Sequence, residues 1–241
     1  MKKIKILFII ISFSIVACGQ KIQKLKPTKW ISVDIPEPSD ICYNPKTDSF
    51  FIVSDNGILF ETDKSGKIIR KMIQKDTDFE AVYANEKNIF CVDESGRNIY
   101  EYDLLTFINT QIINKPFAGA RNKGYESLTF NYSKNVYVLI TERDPAVLFE
   151  LDVNFTTIKQ VDISNIARDI SSATYHDGFV WLLSDEDMQI LKINPETYKV
   201  VSKWKIPVLS PEGITFDKDN NIMITSDDLQ RIYYFNNPDK Q

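Results

Sequence analysis

The chain has 241 residues, 43% hydrophobic and 26% charged, with 29 Lys and Arg against 33 Asp and Glu. That is enough for one large domain, and it excludes a disordered chain, a collagen-like repeat and a disulfide-dependent miniprotein. A formal charge of −4 offers nucleic acid no basic field, and the single histidine, His176, excludes multi-histidine zinc or iron sites.

Residues 1–17 have the pattern of a signal peptide. Lys2, Lys3 and Lys5 precede an apolar run over residues 6–16, and small Ala17 precedes Cys18. At about 11 residues the run is too short for a mature membrane span, which needs about 20. Ile15-Val16-Ala17-Cys18 resembles the bacterial lipobox, so Cys18 is the expected lipidation site and the membrane an expected partner. The alternative is a simple secretory signal with a chance cysteine. Residues 18–29 then read as a lipidated, basic tether holding a single domain, residues 30–241, off the membrane. Gly19-Gln20 lacks an inner-membrane retention aspartate, which points to the outer membrane of a bacterial envelope. Cys42 and Cys91 sit in apolar strand patterns and are expected as buried free thiols, although the compartment permits a disulfide.

The remainder repeats. Five segments open with a small or acidic residue before a short apolar strand: Asp40-Ile41-Cys42-Tyr43, Glu80-Ala81-Val82-Tyr83, Glu126-Ser127-Leu128-Thr129, Ser172-Ala173-Thr174-Tyr175 and Glu212-Gly213-Ile214-Thr215. Their starts lie 40, 46, 46 and 40 residues apart. A polar turn follows each, then a second apolar strand ending in acid, over 50–55, 89–93, 136–142, 179–185 and 222–227. A third, alternating strand begins at Ile58, Ile99, Val147, Ile190 and Ile232. The first four units add a weaker fourth strand, over 67–73, 107–113, 157–163 and 199–206. No stretch keeps a helical period for three turns.

This pattern predicts an all-β fold, a five-bladed β-propeller of four-stranded antiparallel blades. The fifth unit stops at Phe235 without a fourth strand. Lys29-Trp30-Ile31-Ser32-Val33-Asp34-Ile35-Pro36 resembles Ser202-Lys203-Trp204-Lys205-Ile206-Pro207, so residues 30–35 are expected to pair onto the last blade and close the ring.

In a propeller the first strand of each blade lines the channel, and its start lies on the same face as the end of the second. That geometry gathers Asp40, Glu80, Glu126, Ser172 and Glu212 at the channel mouth, with Asp55, Asp93, Glu142, Asp185 and Asp227 behind them. So many carboxylates cannot all stay ionised side by side. A cation sits among them, their pKa values rise, or a basic side chain such as Arg143 reaches in. Oxygen-only donors favour a hard cation, calcium ahead of magnesium. The alternative is that the acids cap strands and accept from loop amides.

Asp217-Lys218-Asp219-Asn220-Asn221 opens like a calcium loop, but Ile222 stands where glycine is needed, so a hairpin turn is expected there. His176 is expected as a surface turn residue. The sequence holds no Gly-x-Ser-x-Gly elbow, Walker loop or Gly-x-Gly-x-x-Gly stretch.

An ordered set of motifs at blade spacing resembles the SdiA-regulated family of bacterial envelope proteins, relatives of NHL-repeat propellers. The motifs are Asp78-Phe79-Glu80, Gly124-Tyr125-Glu126-Ser127-Leu128, Asp169-Ile170-Ser171-Ser172 and Pro211-Glu212-Gly213-Ile214. The resemblance implies a five-bladed, often lipid-anchored protein with a bound calcium ion. On matching positions it implies Glu80, Glu126, Glu212 and Asp169 as ligands. Ser172 replaces the glycine usual in that family and adds a side chain near the site. Glu142 and Asp227 are further candidates drawn from the geometry.

Two functions fit these residues. One is a lipid-anchored module holding a protein or small ligand on a calcium-centred face. The alternative is a calcium-dependent hydrolase of lactonase, esterase or phosphoesterase type, with Glu142 or Asp185 as base.

Overall fold

A computed structural model describes residues 22–118 and 123–240. The signal peptide and Cys18 lie outside the described residues. Five four-stranded antiparallel sheets follow one another along the chain. Blade 1 comprises Pro38–Asn44, Ser49–Ser54, Ile58–Thr62 and Ile68–Ile73; blade 2 comprises Phe79–Ala84, Asn88–Asp93, Asn98–Asp103 and Asn109–Asn114. Blade 3 comprises Tyr125–Asn131, Val136–Thr141, Val147–Leu151 and Thr157–Asp162. Blade 4 comprises Ser172–His176, Phe179–Ser184, Gln189–Ile193 and Val200–Lys205, and blade 5 begins with Pro211–Phe216, Ile222–Ser226 and Arg231–Phe235.

The strand sequences assign each strand its depth. Second strands are continuous apolar runs buried along their length, as in Ser49–Ser54 and Val136–Thr141. Fourth strands alternate between half-buried and exposed residues, as in Ile68–Ile73, and form the rim. Five apolar cores result, one at each interface between neighbouring blades. No blade covers both of its own faces, so the five cores hold together only as a ring.

Lys29–Ser32 supplies the outer strand of blade 5, pairing antiparallel with Arg231–Phe235 in the register Trp30↔Tyr233 and Ile31↔Ile232. Val33 and Ile35 then enter the core between blades 5 and 1. The closure read from the sequence repeat is therefore the one observed.

The segment before it differs from a free tether. Gln23–Lys24 adds a fifth, parallel strand to the outside of blade 4, opposite Trp204 and Lys205. Leu25 packs on the core between blades 4 and 5, and Trp204 Nε1 donates to Gln23 Oε1 at 3.2 Å. A two-residue polar strand carries no period from which it could be foreseen.

The polar turns match their expected chemistry. Asp217 Oδ1 accepts from the amides of Asp219 and Asn221, and Asn220 takes a left-handed φ of 62°, so this stretch is a hairpin turn rather than a calcium loop. Cys42 and Cys91 are free thiols. His176 departs from expectation. It is half-buried and stacks on Phe216 at 3.8 Å, and burial pushes its pKa down.

Candidate metal centre

In four of the five blades the channel mouth is built by a backbone bulge. In blade 1, Pro38 pairs with Ser54 and Asp40 with Val53, leaving Ser39 extra. In blade 2, Glu80 is extra between Phe79↔Asp93 and Ala81↔Val92; in blade 3, Glu126 is extra between Tyr125↔Thr141 and Ser127↔Ile140. In blade 5, Glu212 and Gly213 together face Thr225 between Pro211↔Ser226 and Ile214↔Ile224. Ser39, Glu80, Glu126, Ser171 and Glu212 all line one cavity of about 300 Å³. Asp55, Glu142, Asp185 and Asp227, each just past a second strand, line it too, with Glu37, Asp169, Arg143 and Glu186.

Every proposed ligand therefore converges: Glu80, Glu126, Glu212, Asp169, Glu142 and Asp227 share this cavity. Three sequence-based placements shift by one residue. Asp40 and Ser172 lie one position deeper than the mouth, where Ser39 and Ser171 stand instead. Asp93 is a buried turn acceptor for the amides of Asp78 and Gly96, and Glu94 occupies the ring position. Backbone bonds establish the equivalence: Glu94 N donates to Asp78 O as Glu142 N does to Gly124 O and Asp227 N to Ser210 O. For Ser39 the bulge is the physical reason, because one inserted residue moves every side chain behind it to the other face. Ser171 instead precedes its strand, and Glu94 lies one residue past the end of its own.

Asp78 and Glu94 were not singled out as ligands, yet with Glu80 they form the tightest acidic group among the described residues. One carboxylate oxygen from each lies within 4.8 Å of the others. Glu94 Oε1 also accepts from the Gly124 amide at 2.6 Å. Asp55 Oδ1, buried in the same cavity, has no hydrogen-bond partner. Asp169 is already engaged, accepting from Ser184 Oγ at 2.5 Å and from the amides of Asp185 and Glu186.

Burial dominates the electrostatics, and neighbouring carboxylates add to it. Both push Glu80 and Glu126 well above the ordinary carboxylate range, Glu212 to about 8 and Asp55 to about 7. Burial raises Glu94 as well, and the hydrogen bond it shares with Glu126 adds to the rise of Glu126 while offsetting part of its own, as expected of two carboxyls holding one proton. Arg143 pairs with Glu142 at 3.2 Å and with Glu186, on one side of the mouth. The donors are all oxygens and closely crowded, and this set fits a hard divalent cation.

Below the mouth, Asp40 closes the channel. It accepts from Val82 N at 2.9 Å and Ser172 Oγ at 2.7 Å, and that hydroxyl accepts from Ile214 N, linking blades 1, 2, 4 and 5. Burial pushes its carboxyl to about 8. A Cβ on Gly213 would stand 2.7 Å from Ile41 N and 2.8 Å from Asp40 Cα, so only glycine fits there. Asp40→Ala strands two buried donors and is expected to cost about 2–4 kcal/mol. Asp40→Asn, which keeps the shape, costs less; chemical denaturation at pH 7 measures both.

The fold and its mouth define a class, the five-bladed propeller whose channel opens into a carboxylate-lined cavity. Residues 20–236 match the SdiA-regulated family model, and the chain belongs to the SdiA-regulated family. No curated protein matches the sequence. Among solved structures, a glutaminyl cyclase from Myxococcus xanthus is similar with TM-score 0.71 at 12% identity, covering 88% of this chain and 97% of that one. A streptogramin B lyase gives 0.53 at 16% identity, over 87% and 72% of the two chains. The Cps50 (Swd1) β-propeller domain of Myceliophteria thermophila gives 0.51 at 9% identity, over 83% and 66%. At these identities the likeness concerns the fold alone.

Proposed function

We propose that this protein is a lipid-anchored envelope propeller whose acidic mouth holds a divalent cation, calcium foremost, and presents it to a protein or small ligand. The observation carrying this reading is the convergence of Asp78, Glu80 and Glu94 within 4.8 Å, beside a cavity walled by further carboxylates. Glu80 and Glu94 would hold the ion, with Asp78, Asp55, Glu126 and Glu212 as neighbouring donors. When bound, such an ion supplies a charged centre with positions for ligand oxygens.

Hydrolysis is less well supported. Ser39 and Ser171, the hydroxyls of the lining, donate to the carbonyls of Glu37 and Pro211 rather than to an imidazole or carboxylate. Glu142, a candidate base, is raised above the ordinary carboxylate range by burial, but its Oε1 is paired with Arg143 at 3.2 Å rather than left open to a water.

Charge-neutral variants test the site through two opposite signs. Glu80→Gln, Glu94→Gln and Glu212→Gln are expected to weaken calcium binding about tenfold or more, since ligand charge sets affinity in such sites. The Glu80 and Glu212 changes should also raise the melting temperature of the metal-free protein at pH 8, because folding no longer has to reprotonate or crowd a carboxylate that is ionised in the unfolded chain. Calorimetric titration and melting in EDTA read the two effects. Unchanged calcium affinity in all three variants would refute the assignment.

A further inference from the structure

The strap formed by residues 22–30 runs from the rim of blade 4 to the rim of blade 5, and it divides the molecule's charge. Its exposed cations are Lys24, Lys26 and Lys29, and it contains no acid; neither does the neighbouring outer strand Val200–Lys205. The carboxylates concentrate instead at the channel mouth. Trp30 lies on this rim, 49% exposed, with the Arg231 guanidinium 3.9 Å from its ring centre. Ile22 and Val201 are exposed beside the strap. An exposed tryptophan among lysines and aliphatic side chains is the composition of a surface that meets lipid headgroups.

Chain direction gives this surface an orientation. Val200–Lys205 runs toward the acidic mouth, where Lys205 Nζ donates to the carbonyl of Asp187, two residues past Asp185 of the cavity. Gln23–Lys24 runs parallel to that strand, so the chain enters Gln23 from the side away from the mouth. Ile22 accordingly lines a groove with Val200 and Val201, at the far end of the same strand. Only four residue steps separate Cys18 from Ile22, which is at most about 14 Å of extended chain.

We propose that the rim of blades 4 and 5 around Lys24, Lys26, Lys29 and Trp30 docks on the anionic surface of the bilayer, holding the acidic mouth away from the membrane. The proposal rests on the lipid-anchor reading of Cys18. It replaces a domain floating on a tether with one lying edge-on, its carboxylates kept from anionic lipid and its cavity open to the aqueous side. Each lysine near such a surface contributes to attraction, and the effect is lost with salt.

The protein carries its own probe. Of its three tryptophans, Trp181 is 0% and Trp204 5% exposed, so Trp30 alone can meet a quencher. The mature lipidated chain is reconstituted into vesicles of phosphatidylethanolamine and phosphatidylglycerol with a brominated phospholipid. Trp30 emission is expected to be quenched and blue-shifted, and the effect should be absent in Trp30→Phe. The triple variant Lys24→Glu, Lys26→Glu, Lys29→Glu should float with the vesicles yet lose most of the quenching. Reversal at Lys71 and Lys159, on the rims of blades 1 and 3, should leave it unchanged. A chain that floats while Trp30 stays equally open to acrylamide would overturn the docking and leave the anchor standing. A chain that neither floats nor incorporates labelled fatty acid at Cys18 would overturn the anchor, and the docking with it.

Discussion

The metal-free protein is expected to lose stability steadily from about pH 5 to pH 8.5, and calcium is expected to abolish most of that loss. Carboxyls in the unfolded chain titrate near 4. In the folded chain Asp55 is raised to about 7, Glu212 to about 8, and Glu80 and Glu126 lie well above the ordinary range. Between these limits the native state binds more protons than the unfolded one, so stability falls as pH rises. It is full below about pH 4 and lost through the folded-state values. A divalent cation replaces those protons, which reverses the preference. The calcium-induced rise in melting temperature should therefore be near zero at pH 5 and reach several degrees at pH 8.5, with protons released on binding. Asp40 lies below the mouth and is raised to about 8 by burial, so a residual slope should survive in calcium and shrink in Asp40→Asn. Melting curves across pH, in EDTA and in calcium, give both slopes. A calcium shift that does not vary with pH would mean the carboxylates are already ionised and neutralised from within, with Arg143 the first place to look.

The blade count, the strand order and the closing strand were legible because each follows from periodicity. A period of 40 to 46 residues sets the blade, continuous apolar runs set the second strand, and a sequence echo between Trp30 and Trp204 sets the closure. The mouth was legible at Glu80, Glu126 and Glu212 on first strands and at Asp55, Glu142, Asp185 and Asp227 just past second strands, all acids standing at ring positions. Ser39 was displaced by one residue because a bulge breaks the two-residue alternation that strand reading relies on. Ser171 was displaced because it precedes the regular strand Ser172–His176, and Glu94 because the apolar run of its strand stops at Asp93, one residue short of the mouth. A signal for them does exist. The residue before the first-strand ring position is large or proline in every unit, namely Pro38, Phe79, Tyr125, Ile170 and Pro211. Alignment on that residue places all five ring positions in register. Asp78 precedes Phe79-Glu80 in sequence, but its place at the mouth depends on Glu94 folding back beside it, which no local pattern signals. Nothing local in Gln23-Lys24 announces a strand; its place depends on the free edge of blade 4.

Deletion of residues 22–35 is expected to abolish cooperative folding. The loss would remove the outer strand of blade 5, expose the edge of Arg231–Phe235, and empty Val33 and Ile35 from the core between blades 5 and 1. Burying an aliphatic side chain stabilises by about 1.5–3 kcal/mol. Two such side chains, partly buried Ile31 and a four-residue ladder together approach the roughly 5–15 kcal/mol that hold a domain folded. Blade 5 also contacts blade 1 through Tyr234 Oη, which donates to Lys64 O at 3.1 Å, so a frayed blade 5 opens the ring rather than one edge. The deletion alone does not separate lost residues from lost closure, but relocation does. Phe235 ends the strand that pairs with Lys29–Ser32, and Thr28 N already donates to Tyr234 O at 2.7 Å. Residues 28–35 appended after residue 236 through a short hairpin turn can therefore pair as before. That permuted chain is expected to recover a single cooperative melt within a few degrees of the parent, whereas the plain deletion gives none. A deletion variant melting like the parent would show that the ring holds without its closing strand. A permuted chain that fails to fold would show that residues 28–35 must precede blade 1, joined to it through Val33 and Ile35.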